Sequence, residues 1–345
     1  MKKIIIRILF IFFISFGAFA AGHEVEPIYK KNDLEVNVWG YTNIVGGSEQ
    51  DFMASQFRIR TGLKYKEHWL AFVETDIAGL DSRVHANYIT QGWVGYNFGK
   101  EGLVGKMFSD TTIRGGLLMT AGEMYLPASY ATIPAGKGYS PFKHYASGIQ
   151  VQTMITPRLL FIGDVTGSTG LPYNDKDRWS SGKIETSQRL QWDAIKNTAG
   201  DKTILQLALM NAWSDEFHKI GVTAKWSPTK NFDWYNGAFR SSTHLPGHRP
   251  YTETGWFTLP DYKLWSMKDN KLDLRVHAVY EERTGGPISG RSETAGIALV
   301  LPKDGGYGRF KDSSVTLDFT HSDTRADGGP NVSDNAIMTR VRIFF

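Results

Sequence analysis

The feature that most constrains this chain is a period-two alternation of apolar and polar residues that recurs along its length. From Gln56 to Lys66, the residues Gln56, Arg58, Arg60, Gly62, Lys64 and Lys66 alternate without a break with Phe57, Ile59, Thr61, Leu63 and Tyr65. Successive side chains of a strand point to opposite faces, so this pattern separates one apolar face from one polar face. The last segment repeats it, with Ile337, Thr339, Val341, Ile343 and Phe345 on one face and Met338, Arg340, Arg342 and Phe344 on the other. Sixteen such segments begin near residues 35, 55, 68, 86, 102, 145, 158, 184, 202, 216, 231, 252, 271, 291, 312 and 335, and those near 102, 231 and 252 are the weakest. The spacing is about 20 residues per strand and connection, which suits the tilted strands of about 9 to 11 residues in a transmembrane barrel. No helix-length stretch of 3.6 period alternates with these segments, which disfavours a parallel α/β enzyme; only residues 113 to 126 could hold a short helix. The predicted class is all-β, a single antiparallel barrel over residues 21 to 345.

Composition agrees with strands rather than helices. Aromatics make up 13% of the chain, yet mean hydropathy is −0.30. Beyond the first two dozen residues there is no apolar run of the roughly 20 residues that a membrane helix needs. With no cysteine, a disulfide framework and a cysteine-ligated metal are excluded. Neither EF-hand nor histidine metal spacing occurs, and Gly115-Gly116 and Gly305-Gly306 lack the Lys-Ser/Thr of a phosphate loop. No cofactor and no metal are therefore expected.

At the N-terminus, Lys2, Lys3 and Arg7 accompany an apolar stretch from Ile4 to Phe16, and Ala18-Phe19-Ala20 fits a cleavage site. The expectation is an export signal over residues 1 to 20. Its removal takes three positive charges, so the net charge of +4 falls to +1 and nothing argues for nucleic acid as a partner.

Connections alternate in length. Short turns are predicted at 66 to 68, 99 to 101, 156 to 157, 197 to 201, 227 to 231 and 268 to 270. Longer ones are predicted at 46 to 54, 78 to 85, 109 to 144, 168 to 181, 243 to 251, 283 to 290 and 323 to 334. Two depart from the rhythm: 213 to 215 is short and 303 to 311 is long. Short turns at one end and long loops at the other are the habit of membrane barrels. Tyr65, Trp69, Trp226 and Phe345 fall at strand ends beside the short turns, where interfacial rings collect.

Two stretches carry a resemblance. Val94-Gly95-Tyr96-Asn97-Phe98-Gly99, a turn at Lys100-Glu101, and Gly102-Leu103-Val104-Gly105-Lys106 look like the hairpin before the third loop of the general bacterial porins of Gram-negative outer membranes. The ending Arg340-Val341-Arg342-Ile343-Phe344-Phe345 is similar to the porin C-terminal strand. The resemblance implies a sixteen-stranded, water-filled barrel, a homotrimer in outer-membrane lipid, and a third loop that folds inward. Here that loop is assigned to residues 109 to 144; the Pro-Glu-Phe-Gly-Gly stretch of enterobacterial porins is absent, and Ala121-Gly122-Glu123-Met124 is its nearest acidic equivalent.

With apolar residues toward lipid, the lumen receives Arg58, Arg60, Lys64 and Lys66 from the second strand and Arg340 and Arg342 from the last. Arg342, Lys64 and Lys66 are placed near the short-turn end, and Arg58 and Arg60 near mid-height. Glu74 and Asp76 face inward from the third strand, while Asp110, Arg114 and Glu123 are assigned to the long loop with Lys137 and Lys143. The expectation is a transverse field between cations and carboxylates, with a weak preference for anions among small hydrophilic solutes and ions. A substrate-specific channel for sugars or anions is the alternative, with Trp39 and Tyr41 pointing inward. A barrel hydrolase is the rival class, for which His144 with Ser147, or His321, Ser322 and Asp323, are the nearest candidates; no nucleophile motif supports it, so a non-enzyme is expected.

Overall fold

A computed structural model describes residues 27–48, 50–76, 89–99, 109–122, 145–168, 183–197, 202–244, 247, 249–267, 272–302, 310–326 and 328–345. The strands are β1 (Tyr29–Lys31), β2 (Leu34–Gly47), β3 (Gln50–Tyr65), β4 (Trp69–Asp76), β5 (Ile89–Asn97), β6 (Ser109–Met119), β7 (Tyr145–Thr156), β8 (Leu159–Ser168) and β9 (Lys183–Lys196). The second half holds β10 (Thr203–Ser214), β11 (Phe217–Thr229), β12 (Phe232–Thr243), β13 (Tyr251–Ser266), β14 (Asp273–Thr284), β15 (Ile288–Val300), β16 (Ser314–Ala326) and β17 (Asn331–Phe344). From β2 to β17 each strand pairs antiparallel with its sequence neighbours, and β17 returns to pair with β2, which closes a sixteen-stranded barrel. Strand β1 is a short addition that pairs with Leu34–Val36 of β2, below the stretch that β17 covers.

Closure is sealed by a two-way backbone bond. Gly40 N donates to Phe345 O at 2.9 Å and Phe345 N donates to Gly40 O at 3.1 Å. A side chain at Gly40 would run into the Phe345 ring, with Cζ 2.7 Å from the position of its Cβ, so glycine lets the terminal ring lie over the seam. That ring sits 5.7 Å from Phe57. Closing the sheet removes the unpaired edges that an apolar exterior cannot tolerate.

Alternation sorts the two faces. Val94, Val165, Ile184, Leu209, Val222, Leu317 and Ile337 are exposed on the outside. Rings collect at both ends of this exterior. Trp69 packs edge-on to Tyr96 at 5.0 Å, and Trp226 lies 6.0 Å from Trp234, beside the short turns. Trp213, Trp256 and Tyr280 mark the other end, with the Trp256 and Tyr280 rings 4.7 Å apart. The outside is thus an apolar band between two aromatic belts, the form that a hydrocarbon layer with two wet boundaries favours.

Several boundaries differ from the sequence expectation. Residues 46 to 54 are not a loop: Gly47 pairs with Gln50, leaving a two-residue turn. The strand that pairs with residues 94 to 97 is β6, since Asn97 pairs with Thr112 and Phe98 N bonds to Thr111 O, whereas residues 100 to 106 of the expected hairpin lie outside the described residues. Residues 109 to 119, assigned to the long loop, are β6 itself, and the helix considered over 113 to 126 is strand to Met119. The physical reason is lateral pairing: Ile113 supplies the outward apolar position and Thr112 and Arg114 the inward ones, between β5 and β7. Strands also run further into the long-loop end, to Thr284 and Ala326, than hydrophobic alternation alone indicates. Cross-strand backbone bonds do not require apolar side chains.

The interior is not uniformly polar. Met210, Ala212, Phe217, Tyr235, Phe239, Phe257, Leu259 and Val279 face inward from β10 to β14 and form a buried apolar cluster. Alternation leads to the expectation of a polar inner face, and this stretch of wall departs from it. Inward positions alternate with the lipid-facing ones and need not all be polar: an inner wall whose side chains pack against one another obeys the ordinary rules of a core.

Candidate pore-lining site

The charged wall is built from β17, β2, β3 and β4. Pairing aligns Phe344 with Tyr41, Tyr41 with Arg58, and Arg58 with Asp76; one inward step away, Trp39 aligns with Arg60 and Arg60 with Glu74. Tyr41 becomes a hub: the guanidinium carbons of Arg342, Arg60 and Arg58 stand 5.4, 5.5 and 6.0 Å from its ring centroid. Arg60 also lies 5.6 Å from the Trp39 ring. These are cation–π distances, and they gather three like charges around one ring.

Carboxylates hold this cluster from the same side. Arg58 Nε donates to Asp76 at 3.0 Å and Nη1 to Glu74 at 3.3 Å, and Arg60 donates through Nε to Glu74. Thr90 Oγ1 donates to Glu74 at 2.6 Å, so this buried carboxylate accepts from three side chains. Arg58 Nη1 also donates to the Tyr145 hydroxyl at 3.1 Å, tying β3 to the start of β7. Arg342 Nε donates to Asn43 at 2.7 Å. Buried charge is stable when paired and hydrogen-bonded, a condition that Arg58 and Arg60 meet with Asp76 and Glu74. Three guanidiniums against two carboxylates leave an excess of one positive charge.

Glu74 and Asp76, expected on the neighbouring strand beside the cationic wall, bind Arg60 and Arg58 as cross-strand neighbours, so the field between these particular groups is local. One sequence expectation changes. Arg342 does not sit apart near the short-turn end; it joins Arg58 and Arg60 at Tyr41, because β17 covers only Tyr41–Gly47 of β2. Arg340, also inward and buried, lies between Val45 and Thr316. Lys64 stands opposite Glu35 and Leu70 toward the short turns. Asp110 and Arg114 belong to the wall through β6, not to a loop, and Glu123, Lys137, Lys143 and His144 lie outside the described residues.

A second network was missed from the sequence. Arg114 Nε donates to Gln150 Oε1 at 2.8 Å, and Gln150 Nε2 donates to Asp164 Oδ2 at 3.1 Å and to Met119 O at 2.9 Å. Ala121 N donates to the same Asp164 oxygen at 2.7 Å, and Ser187 donates to Oδ1. Thr120 and Ala121 are buried, so the chain leaving β6 starts inward and is pinned to β8. Asp164 alternates with Ile162 and Thr166 on a face that hydropathy does not distinguish from any polar one. On β13 to β16, Arg283 is bound to Glu253, Arg275 to Asp261 at 2.9 Å, and His277 to Asp318 at 2.7 Å. The signal for these was present: Leu274, Val276 and Ala278 take one face, which leaves Arg275 and His277 to the other.

Beside the Tyr41 cluster, toward the short turns, lies a cavity of about 420 Å³ whose lining includes Trp39, Arg60, Phe72, Gln91, Trp93 and Arg114. The hydrolase arrangement at His321, Ser322 and Asp323 does not assemble. His321 Nε2 approaches Asp323 at 3.5 Å from the outer face, whereas Ser322 is an inward position paired with Ser292. Among the described residues no group of His, Asp and Glu is arranged to hold a metal ion.

A closed sixteen-stranded barrel, apolar outside and charged within, has the porin-like fold of outer-membrane barrels. Solved structures agree: the outer-membrane channel DcaP of Acinetobacter baumannii superposes with a TM-score of 0.62 at 10% identity, covering 92% of this chain and 99% of that one. OmpT, an outer-membrane protein of Vibrio cholerae, gives 0.60 at 11% identity over 92% and 100%. An anion-selective porin from Comamonas acidovorans gives 0.59 at 10% identity over 90% and 100%. No family model and no curated protein matches the sequence. At such identities the likeness is one of fold.

Proposed function

We propose that this protein is an outer-membrane channel for passive diffusion of small hydrophilic solutes and ions, with a weak preference for anions. The observation that carries the reading is the convergence of Arg58, Arg60 and Arg342 on Tyr41 at the inner wall of a closed barrel, with one positive charge in excess. Fixed charge beside a narrow aqueous path concentrates counter-ions and sets ion preference. The apolar band between aromatic belts supports residence in outer-membrane lipid, reached by export with removal of residues 1 to 20. Assembly as a homotrimer follows from the resemblance to general porins. The reading is that of a non-enzyme.

Reconstitution in planar bilayers under a KCl gradient tests it. The wild type is expected to give stepwise conductance and a reversal potential displaced toward chloride. In Arg58→Gln/Arg60→Gln the displacement shrinks toward zero; an unchanged ion ratio removes the assignment of selectivity to this cluster. The cavity at Trp39 and Trp93 favours a second reading, a channel with a saturable solute site, for which conductance blocked by solute at low concentration is the signature.

A further inference from the structure

The cavity beside the Tyr41 cluster has an organised lining. Its floor is a row of rings on three strands: Trp39 of β2 lies 6.2 Å from Phe72 of β4, which is stacked at 5.5 Å and 22° on Trp93 of β5. A guanidinium flanks each end of the row. Arg60 stands 5.6 Å from Trp39, and Arg114 stands 5.0 Å from Trp93. Both are held from behind: Arg60 through Nε by Glu74, and Arg114 through Nε and Nη2 by Gln150. That leaves both terminal nitrogens of Arg60 and Nη1 of Arg114 without a bond to the described residues, in side chains that line the cavity. At the short-turn rim, Glu67 and Asp110 outnumber Lys64 by one charge.

We infer that this cavity is a binding site for a planar aromatic anion, an aryl carboxylate or sulfonate. Each part of the lining selects one part of such a molecule. The Trp39–Phe72–Trp93 row offers ring faces and edges to a flat apolar body. Arg60 and Arg114, fixed by their partners, present planar donors to the anionic group, the geometry in which guanidinium recognises carboxylate. The acidic rim turns the charged end away from the short turns and toward the arginines. A volume of about 420 Å³ accommodates a molecule of one or two rings. A neutral sugar would use the rings but leave the buried Arg114 guanidinium, held by the neutral Gln150, without a bound counter-charge, whereas Arg60 has Glu74. The inference depends on the channel reading only for the route by which the solute arrives, because binding can be measured without conduction.

The test is calorimetric titration of the folded full-length mature protein in detergent micelles with benzoate, and with benzamide as the neutral isostere. Folding of every variant is verified by the heat-dependent shift of its gel band. Benzoate is expected to bind saturably, and benzamide about tenfold more weakly or worse, the effect of about 1.4 kcal/mol. Arg114→Gln should weaken benzoate by a similar factor while Arg114→Lys recovers part of the loss, and Trp93→Leu should weaken benzoate and benzamide alike. Arg291→Gln, on the outer face, should leave benzoate binding unchanged. No saturable heat with folded protein, equal affinity for the two probes, maltose binding in place of benzoate, or wild-type affinity in both Arg114→Gln and Trp93→Leu would overturn the assignment. Normal conductance with no benzoate binding counts against this site alone; benzoate binding without conductance counts against the channel reading alone.

Discussion

At the scale of single residues, the charged wall is set by who stands opposite whom. Arg58 and Arg60 occupy alternate inward positions on β3, and the register with β4 brings Asp76 and Glu74 against them. Glu74 is the more consequential partner, since it is buried and accepts from Arg58, Arg60 and Thr90. Glu74→Gln keeps the shape and removes the charge, so the excess at the cluster rises from one positive charge to two. The expected outcome is a reversal potential displaced further toward chloride under a KCl gradient. Stability should fall as well, because removing one partner of a buried pair costs about 3–5 kcal/mol. Equilibrium unfolding in urea with detergent checks the second effect separately from the first. A different residue-scale device operates at Gly296, where a Cβ would collide with both His277 Nε2 and Asp318 Oδ1. A glycine there leaves room for that buried His277–Asp318 hydrogen bond.

Among elements, the transition from β6 to its following connection is where structure adds most to sequence. Met119 O and Ala121 N are both bound to the Gln150–Asp164 pair of β7 and β8, so the exit from β6 is aimed inward at its first residues. Asp164→Ala removes the acceptor for Ala121 N, Gln150 and Ser187 at once. Three donors are then left buried, each worth about 1–3 kcal/mol when unsatisfied. The expected result is a less firmly held chain at residues 120 to 122 and more frequent conductance substates in single-channel records, with mean ion preference little changed. Asp164→Asn retains an acceptor and is expected to behave between the two.

For the whole molecule, closure turns sixteen two-faced strands into an outside and an inside. The inside is divided: arginines, Glu74 and Asp76 on the β17-to-β4 wall, and a packed apolar cluster on the β10-to-β14 wall. An ion preference that arises from one charged wall should be screened by salt. The Debye length falls from about 10 Å at 0.1 M to about 3 Å at 1 M. Chloride preference, measured as reversal potential at a fixed concentration ratio, is therefore expected to weaken markedly between mean KCl concentrations of those sizes. A preference independent of salt would place selectivity at a contact constriction instead.

The sequence by itself determined the number of barrel strands and, on the strands that alternation marks, the face each residue takes, because period two is a local property that any half-exposed strand must satisfy. Fifteen strand starts lie within a few residues of the positions that alternation marks; the fifth barrel strand, expected near 102, begins at Ser109. There the alternation is weak, and only pairing with β5 and β7 fixes the register. The inward placement of Arg58, Arg60, Glu74, Asp76, Arg340 and Arg342 was legible for the same local reason. What the tertiary structure alone decided is which of them meet. Arg342 reaches Tyr41 across nearly the full length of the chain, and Arg60 and Arg114 share a cavity through strands that lie far apart in sequence. Alternation gives a side chain its face but not its height, and height is set by the stagger of paired strands around a closed barrel.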